Sequence, residues 1–459
     1  MSDISSQRPV NVSGTASIQH NYPGPVQAWS TVAILFLAYT LSFIDRQIIT
    51  LLVGPIRADL GLSDFQFSLL HGFAFAIFFA VLGLPVGRMA DRYSRRVIIA
   101  VGIATWSFMT ALCGLAKNFP QLFLARMGVG VGEATLSPST YSMLSDAFPP
   151  DKLTRAVAVF STGGTLGTGL AMIIGGAVIQ LVADAESIAI PFVGELKPWQ
   201  ASFLIVGIPG LIVAAMMFLI PEPKRQGLIT VKGAKPPPQL PLKLVFDFLI
   251  ERKGTYGTLF LTTSFMTALS AGFVMWYPTF LIRIHGYSMS EAGYSFGLLF
   301  GIFGTLGVLS GGWLAGYWAR KGHIDANMRV MVFATSCALI PYIIGPQMPS
   351  ANLAMAFMAI SIFATQMIAS VSVASTQLIT PNQIRAQASA IFLLLVNFIG
   401  FGLGGTVIAF FTDFVFASDN ALPYSMSLTA IIIVPASIMA YWKGIPAYRV
   451  CLEQAKEWR

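Results

Sequence analysis

The sequence has 459 residues, of which 55% are hydrophobic and 10% are charged, and its formal net charge is +8. Soluble domains carry about 25% charged residues, so the composition excludes a soluble protein and indicates a membrane protein with many spans. The three cysteines, Cys113, Cys337 and Cys451, suggest neither a disulfide framework nor a metal site.

Apolar runs of about 20 residues predict twelve transmembrane helices, and therefore an all-α protein. Residues 1–28 are polar and lack the pattern of a signal peptide, so we expect a cytoplasmic tail there. The predicted spans are residues 29–54, 65–87, 96–116, 120–147, 156–182, 199–220, 255–282, 290–318, 328–346, 350–378, 386–412 and 422–442.

The distribution of Lys and Arg between the loops predicts the orientation in the membrane. With both termini in the cytoplasm, 22 of these residues face the cytoplasm and 4 face the outside. Positively charged residues favour cytoplasmic loops, so this arrangement is the expected one. The net charge is thus explained by orientation and not by nucleic-acid binding, and we expect a protein of the bacterial inner membrane.

The first predicted span carries two charged residues, Asp45 and Arg46, in an apolar sequence. At a rise of about 1.5 Å per residue, they lie about 11–14 Å from the outer end of the helix. A charge at this depth is costly unless it is paired or lines a cavity, which favours a functional role. The alternative is an ion pair that only holds helices together. His71, early in the second span, is a cavity candidate, although a hydrogen-bonded packing histidine is favoured over a proton carrier.

A basic loop follows the second predicted span and contains Gly87, Asp91, Arg92, Arg95 and Arg96. These residues resemble the loop signature between the second and third helices of the major facilitator superfamily. The resemblance implies a cytoplasmic latch between two halves of the protein, in which Asp91 pairs with basic groups at helix ends. Such a latch forms in one state and breaks in another. The alternative is a positive cluster that only sets the topology.

The fourth predicted span, residues 120–147, contains Arg126 and Glu133. Their separation of seven residues is two helical turns, so both side chains leave the same face, about 10 Å apart. Three glycines between them allow a neighbouring helix to approach closely. As in the first span, a purely structural ion pair is the alternative.

Asp45, Arg46, Arg126 and Glu133 form one cluster if the first and fourth helices are neighbours. We interpret Asp45 and Glu133 as the proton-binding residues, and Arg46 and Arg126 as their counter-ions. Proton binding would then release an arginine, which links protonation to binding of the acidic head of a substrate or to helix movement. The sequence does not separate the coupling acid from a structural one.

Three stretches resemble the Spinster family of this superfamily more closely than its other branches: Phe43–Arg46, Ala125–Ala134 and Pro221–Pro223. The resemblance implies that the charges of the first and fourth helices take part in proton coupling and transport. Eukaryotic members of that family carry lysolipids or sphingosine phosphates. The anion:cation symporters of sugar acids share an Asp-Arg pair in the first helix and an Arg and an acid in the fourth. A sugar-acid symporter is therefore the rival interpretation.

The chain repeats a pattern at a distance of 225 residues. Residues 87–96 after the second span match residues 312–321 after the eighth, although Gly316 replaces the acid of the first copy. Two six-helix halves in parallel register are typical of alternating-access transporters. The predicted organisation is an N-terminal tail 1–28, an N-terminal bundle 29–220, a cytoplasmic linker 221–254, a C-terminal bundle 255–442 and a cytoplasmic tail 443–459.

The spans of the second half carry many aromatic and methionine residues and no charge at mid-membrane depth. Such residues suit an adaptable apolar surface, which favours a lipid-like substrate. Polar residues in the same spans would equally serve a small polar substrate. The cavity candidates of this half are Tyr277, Phe296, Gln366 and Asn397, although most of the aromatic residues are expected to be core packing.

Three functional classes compete, namely a transporter, a membrane-embedded enzyme, and a channel or scramblase. The spans hold no cluster of metal ligands or catalytic triad, and the chain has no Gly-Lys-Ser/Thr phosphate loop. We therefore expect no enzyme, no cofactor and no metal site. A channel would repeat its polar groups in both halves. We expect a monomeric, proton-coupled transporter of an amphipathic anion resembling a lysolipid or sphingolipid, with a small organic anion as the alternative.

Overall fold

The computed structural model describes residues 22–182, 185, 187–190, 194–225 and 242–456 of the chain. Most of the predicted N-terminal tail and residues 226–241 of the predicted linker lie outside these ranges. The side-chain environments of thirteen residues within the ranges are also outside the description: Ala80, Gly83, Leu84, Gly87, Asp91, Pro150, Asp151, Thr154, Ile190, Leu242, Asn382, Gln383 and Ala386.

The described residues of the first half form nine α-helices and a small hairpin. The helices are α1 (Pro25–Gln47), α2 (Val53–Leu60), α3 (Asp64–Ser68), α4 (Ala74–Arg92), α5 (Arg95–Cys113), α6 (Phe119–Glu133), α7 (Leu136–Ala147), α8 (Pro150–Val182) and α9 (Pro198–Met216). A 3₁₀ turn, Ile48–Leu51, extends α1, and a π turn, Leu69–Phe73, joins α3 to α4. The hairpin pairs β1 (Ile188–Ile190) antiparallel with β2 (Gly194–Leu196).

The second half is helical throughout most of its described residues. Its helices are α10 (Leu242–Glu251), α11 (Lys253–His285), α12 (Met289–Arg320), α13 (Ala326–Ile344), α14 (Ala351–Leu378), α15 (Asn382–Leu395), α16 (Gly402–Phe410) and α17 (Leu422–Ala455). A π turn, Val396–Phe401, joins α15 to α16. Because α17 continues to Ala455, much of the predicted C-terminal tail is helical, and α10 lies within the predicted linker.

Local sequence explains where several helices begin. Ser63 and Ser288 form capping boxes with Gln66 and Glu291, because each serine oxygen accepts the backbone N–H three residues later. Gly61 adopts a left-handed conformation, with φ of 65°, immediately after α2. Glycine takes this conformation without steric cost, so the chain can turn sharply from α2 into α3.

The structure describes ten helices that are long and apolar enough to cross a membrane, or eleven if one strongly bent pair counts as a single span. The predicted fourth span is divided into α6 and α7, which are separated by Ala134 and Thr135. Pro138 lies in the first turn of α7, where a missing backbone N–H costs no helical hydrogen bond. The ten spans establish an all-helical membrane protein, and twelve spans with cytoplasmic termini stay a prediction.

Glycines bring the two halves together at two of the places where their described residues meet. Helix α8 packs on α12 through glycines, and a Cβ added to Gly169 would lie 2.7 Å from the carbonyl oxygen of Gly297. The π turn before α4 packs on α16, and a Cβ added to Gly72 would lie 2.8 Å from the carbonyl oxygen of Gly402. Small residues thus bring the backbones of the two halves into direct contact.

An apolar cluster that draws on both halves fills one side of this interface, which the distribution of Lys and Arg predicts to be the outer side. It joins the end of α1 and the start of the second span to the middle of α11 and the start of α12. Tyr277 and Phe296 belong to this cluster and stack with ring centroids 5.4 Å apart. We call this cluster the outer plug; its buried members include Ile48, Leu51, Phe67, Leu70, Phe273, Trp276, Tyr277, Phe280 and Phe296.

Candidate functional site

Arg46 and Glu133 form a buried ion pair between α1 and α6. The Arg46 guanidinium donates to the Glu133 carboxylate, whose side chain is 1% exposed, whereas that of Arg46 is 11% exposed. The guanidinium also lies 4.1 Å from the ring centroid of Phe75, which adds a cation–π contact. The fold therefore buries the Glu133 carboxylate together with one cation, the Arg46 guanidinium.

Arg126 is fully buried and interacts with backbone carbonyl groups. Its guanidinium donates to the carbonyl oxygens of Asp45 at 3.2 Å, Arg46 at 3.4 Å and Leu70 at 3.5 Å. The first two carbonyls lie where α1 gives way to its 3₁₀ turn, and the third lies in the π turn. Interrupted helices free such carbonyl groups, and helix C-termini favour cations. The sequence predicts a carboxylate partner for Arg126, but within the described ranges no carboxylate lies within 4 Å of it.

Asp45 is buried next to this arrangement, with 2% exposure. No basic side chain of the described residues lies within 4 Å of its carboxylate, although its own carbonyl oxygen accepts from Arg126. Asp45 and Glu133 therefore have different surroundings. Glu133 is paired directly with Arg46, whereas Asp45 is held through its backbone.

A cavity of about 360 Å³ lies between the halves. Three of the predicted residues line it: Arg46, His71 and Gln366. The Nε2 atom of His71 is buried and has no hydrogen-bond partner among the described residues. Because Glu133 lies directly behind Arg46, the ion pair forms part of the cavity wall, with the cation on the inside.

The structure places the other three cavity candidates, Tyr277, Phe296 and Asn397, outside the lining of this cavity. Tyr277 and Phe296 are 1% and 0% exposed, and their rings stack on each other. Both belong to the outer plug, so their side chains are buried away from the cavity. Asn397 does not line the cavity, and its side-chain amide donates to the carbonyl oxygen of Leu393 at 2.8 Å. The π turn at Val396–Phe401 gives this amide a local backbone partner.

Rows of hydroxyl groups line the cavity, and our sequence analysis missed most of them. One row on α8 comprises Ser161, Thr165 and Thr168, and another on α11 comprises Thr263, Thr267 and Ser270. Both rows have the spacing i, i+4, i+7, which places their members on one helical face. This periodicity of Ser and Thr was the signal that could have identified them. Thr365 and Ser372 on α14 complete the polar lining.

Several of these hydroxyl groups already donate their proton to their own helix. Thr168 donates to the carbonyl oxygen of Gly164 at 2.9 Å, and Thr267 donates to that of Thr263 at 2.8 Å. Their oxygen lone pairs then remain to accept hydrogen bonds. The cavity therefore offers a guanidinium on one wall and hydroxyl acceptors on the others.

The described polar contacts of Arg95 and Arg96, two residues of the predicted latch, lie within the N-terminal half and the start of the linker. Arg95 is buried and pairs with Asp146 and Glu222, and Arg96 donates to the carbonyl oxygen of Ile220 at 3.2 Å. Burial opposes ionisation of Glu222, but hydrogen bonds from Ser94 and Arg95 hold its pKa below the ordinary value. Arg92 is exposed, and the side-chain environments of Gly87 and Asp91 lie outside the description.

A network of four charged residues joins the two halves on the opposite side, beyond the outer plug. Arg283 donates two hydrogen bonds of 2.7 Å to the carboxylate of Asp64. Arg57 forms ion pairs with Asp64 at 2.9 Å and with Asp419 at 2.8 Å. Asp64 is 0% exposed. We call Arg57, Asp64, Arg283 and Asp419 the outer charge network. The sequence did not indicate this network, because its members lie beyond the ends of separate predicted spans in both halves.

Comparisons with known proteins agree with this architecture. The model of the Major Facilitator Superfamily matches residues 35–442. An MFS-type efflux pump of Mycolicibacterium smegmatis is 28% identical over 93% of this chain and 94% of its own length. A hexuronate transporter of Bacillus subtilis is 27% identical over 66% of this chain and 68% of its own length. The crystal structure of a bacterial homolog of the lysosomal transporter Spinster, in an inward-facing and unoccupied conformation, superposes with a TM-score of 0.74 at 26% identity, covering 95% of this chain and 99% of that one.

Proposed function

The chain belongs to the major facilitator superfamily and resembles its Spinster members, and from this premise we propose that it is a proton-coupled transporter of an amphipathic anion. Family and fold point to a multi-pass membrane transporter and not to an enzyme. The observation that carries the proposal is the Arg46–Glu133 pair in the cavity wall.

The pair can exchange a proton for an anion. While Glu133 is ionised, it holds the Arg46 guanidinium on its own side of the wall. A proton on Glu133 removes that attraction and leaves the guanidinium available to a carboxylate or phosphate in the cavity. By linkage, a bound anion then favours the protonated form of Glu133 to the same extent. Asp45 is the second candidate for the proton, because it is the other buried acid of the cluster.

Alternating access would follow from the contrast between the two sides of the interface. The outer plug and the outer charge network close one side and join both halves. The described polar contacts of Arg95 and Arg96 lie within the N-terminal half and the start of the linker. This is the pattern of an inward-facing state, so binding must ultimately break the outer contacts and form inner ones.

The apolar residues of the cavity support an amphipathic substrate. Phe43, Phe75, Phe300, Phe392 and Phe401 line it together with Arg46. A lysolipid could place its acidic head at Arg46 and its chain along these rings. At about 360 Å³ the cavity is at the small end of the range for ligand pockets, so a long chain would extend beyond it towards the cytoplasm.

A small hydroxylated anion is the second candidate, and the hydroxyl rows favour it. Their lone pairs would accept hydrogen bonds from several substrate hydroxyl groups while Arg46 binds the carboxylate. The similarity to a hexuronate transporter points in the same direction. A sugar acid also fits the cavity without leaving it.

Flux into proteoliposomes tests the coupling. We expect that an inward pH gradient accelerates uptake of a lysophosphatidylglycerol or of glucuronate, and that Glu133→Gln or Asp45→Asn removes the effect of the gradient. Lys117→Gln, a change of an exposed lysine that does not line the cavity, serves as the control and should retain coupled flux. Normal gradient-driven uptake by both acid variants would reject the proton-coupling assignment.

Thermal stabilisation of the purified protein discriminates between the substrates. A ligand that binds only the folded form raises the apparent melting temperature by mass action. We expect a lysolipid to stabilise the wild type but not Arg46→Gln. Stabilisation by glucuronate alone would replace the lipid candidate with the sugar acid, and the double change Thr263→Val and Thr267→Val should then remove that stabilisation.

A further inference from the structure

A second recess lies on the surface between α13 and α17, and it shares no lining residue with the central cavity. Its volume is about 640 Å³. Eight residues line it: Arg329, Val332, Phe333, Trp442, Lys443, Ile445, Pro446 and Arg449. It lies at the end of the bundle that the distribution of Lys and Arg assigns to the cytoplasm. We call it the basic groove.

The basic groove has an excess of positive charge. Arg329 and Arg449 both bond to Asp325, at 2.9 Å and 2.8 Å, and the Asp325 side chain is 1% exposed. Burial opposes ionisation of Asp325, but the two arginines hold its pKa below the ordinary value, so it is charged at neutral pH. Lys443 is exposed and has no ion pair among the described residues. Three cations therefore face one carboxylate.

Asp325 also fixes the geometry of the groove. By holding one arginine from the start of α13 and one from α17, it keeps two guanidinium groups side by side. Each guanidinium has more donors than a single carboxylate can accept. The remaining N–H groups are available to the oxygens of a phosphate, which arginine binds in a fork-like geometry.

The other edge of the groove is apolar and exposed. Trp442 is 64% exposed and Phe333 is 45% exposed, and both lie next to the cationic side chains. Trp442 is the last residue of the predicted span 422–442, and an exposed Trp where a span ends is typical of the level of the lipid headgroups. A ligand of this groove would thus have a negative head and an apolar body in contact with the helix surface.

We propose that the basic groove binds the phosphate headgroup of an anionic phospholipid in the cytoplasmic leaflet, with an acyl chain against Trp442 and Phe333. Basic pockets between transmembrane helices on the cytoplasmic side suit such headgroups. A soluble phosphate would use the cations but would leave the apolar edge uncovered. This site is separate from the transport pathway, since neither α13 nor α17 contributes to the central cavity.

Native mass spectrometry of the full-length protein with added lipid tests the proposal. We expect dioleoylphosphatidylglycerol to bind the wild type more tightly than dioleoylphosphatidylcholine does. Lys443→Gln should weaken binding of the anionic lipid about fivefold, as expected for the loss of one cation near a membrane surface. Lys152→Gln, which removes an exposed lysine on the same predicted side of the other half, is the matched control and should bind as the wild type does.

Two further measurements keep the outcomes distinct. Arg46→Gln should retain the binding of phosphatidylglycerol, which separates the groove from the central cavity. Millimolar inorganic phosphate should not displace the lipid. Equal losses in Lys443→Gln and Lys152→Gln would overturn the proposal, and so would displacement by phosphate, which would indicate a site for a soluble anion.

Discussion

Arg126 shows how one buried cation is satisfied by the backbone of its neighbours. Its donors reach three carbonyl oxygens, two at the end of α1 and one in the π turn before α4. Backbone dipoles replace a counter-ion here, because interrupted helices leave carbonyl groups without their usual partners. Arg126 thereby fixes the backbone on both sides of the Arg46–Glu133 pair.

We expect Arg126→Lys to destabilise the protein by about 2 kcal/mol, because a lysine ammonium lacks the planar fork that reaches several carbonyl groups and leaves acceptors buried without donors. Thermal unfolding of the purified protein measures the effect. Arg320→Lys, at an exposed position, is the control and should unfold as the wild type does. An unchanged stability of Arg126→Lys would contradict this account of the site.

The charged residues of the candidate site could be predicted from sequence, but only some of their partners could. Depth in an apolar span singles out Asp45, Arg46, Arg126 and Glu133, because charges there are costly. The Arg46–Glu133 contact follows if the first and fourth spans are neighbours. The carbonyl partners of Arg126 depend on a 3₁₀ turn and a π turn, and an apolar pattern does not predict where a helix departs from regular geometry.

At the scale of helices, small residues determine how closely α5 and α6 approach. A Cβ added to Gly132 would lie 2.6 Å from the backbone nitrogen of Trp106 and 2.7 Å from the carbonyl oxygen of Gly102. Both are backbone atoms, which cannot move as a side chain does. The packing of α5 on α6 therefore requires glycine at this position, and it positions Glu133, the next residue.

Gly132→Ala should destabilise the protein by about 1–3 kcal/mol, as is usual for an overpacked interior. Gly312→Ala is the control, because within the described part of the chain no atom outside its own helix backbone and chain neighbours lies within 4 Å of the added Cβ. Melting temperatures of the two purified variants provide the comparison. Equal values would show that α5 and α6 separate without cost.

Near the ends of the helices, the outer charge network joins the two halves. Arg283 is bonded twice to Asp64, so its removal leaves a buried carboxylate with only Arg57. Breaking one partner of a buried pair is costly, and that cost falls only on the state in which the outer side is closed. The predicted spans did not indicate this network. Its members lie beyond the ends of those spans and meet only when the two halves pack together.

Arg283→Gln should therefore shift the protein towards an outward-open state. The measurement uses Thr168→Cys in the central cavity, in a background without the three native cysteines, and a thiol reagent that does not cross the membrane. We expect labelling from outside to rise about tenfold, which corresponds to about 1.4 kcal/mol. Lys117→Gln removes an exposed cation on the same predicted side and should leave labelling unchanged.

At the scale of the whole molecule, the sequence predicted the family and class correctly. The resemblance to Spinster transporters and the multi-pass membrane protein are confirmed. The hydrophobic periodicity and the internal repeat carry this information because both reflect the whole fold. The division of the second half into plug and cavity was not predictable in the same way. Tyr277 and Thr267 lie on the same helix, and only packing determines which of them reaches the cavity.

Asp419 of the outer charge network is not a sensor of protons between pH 5 and pH 8. The hydrogen bond from Arg57 lowers the pKa of Asp419 below its usual value of about 3.9. A lowered pKa means that the stabilisation is present above the unfolded value and is lost only as the pH falls through the folded one. Asp419 therefore stays charged between pH 5 and pH 8, and a proton that opens the protein in this range binds a group other than Asp419.

In the double variant Asp45→Asn and Glu133→Gln, labelling of Thr168→Cys from outside should therefore be the same at pH 5 and at pH 8 after correction for the reactivity of a free thiol. The same protein with both acids intact should show a pH dependence. A residual dependence in the double variant would assign the sensor to other titratable groups.

The reach of Arg126 has a mechanical consequence. The Arg126 guanidinium on α6 donates hydrogen bonds to carbonyl oxygens in the last turn of α1 and in the π turn that precedes α4. These three segments must therefore move together. Ile48 and Leu51 of the outer plug follow directly in the chain. If protonation of Glu133 displaces α6, the end of α1 must move with it, and Ile48 and Leu51 of the outer plug move as well.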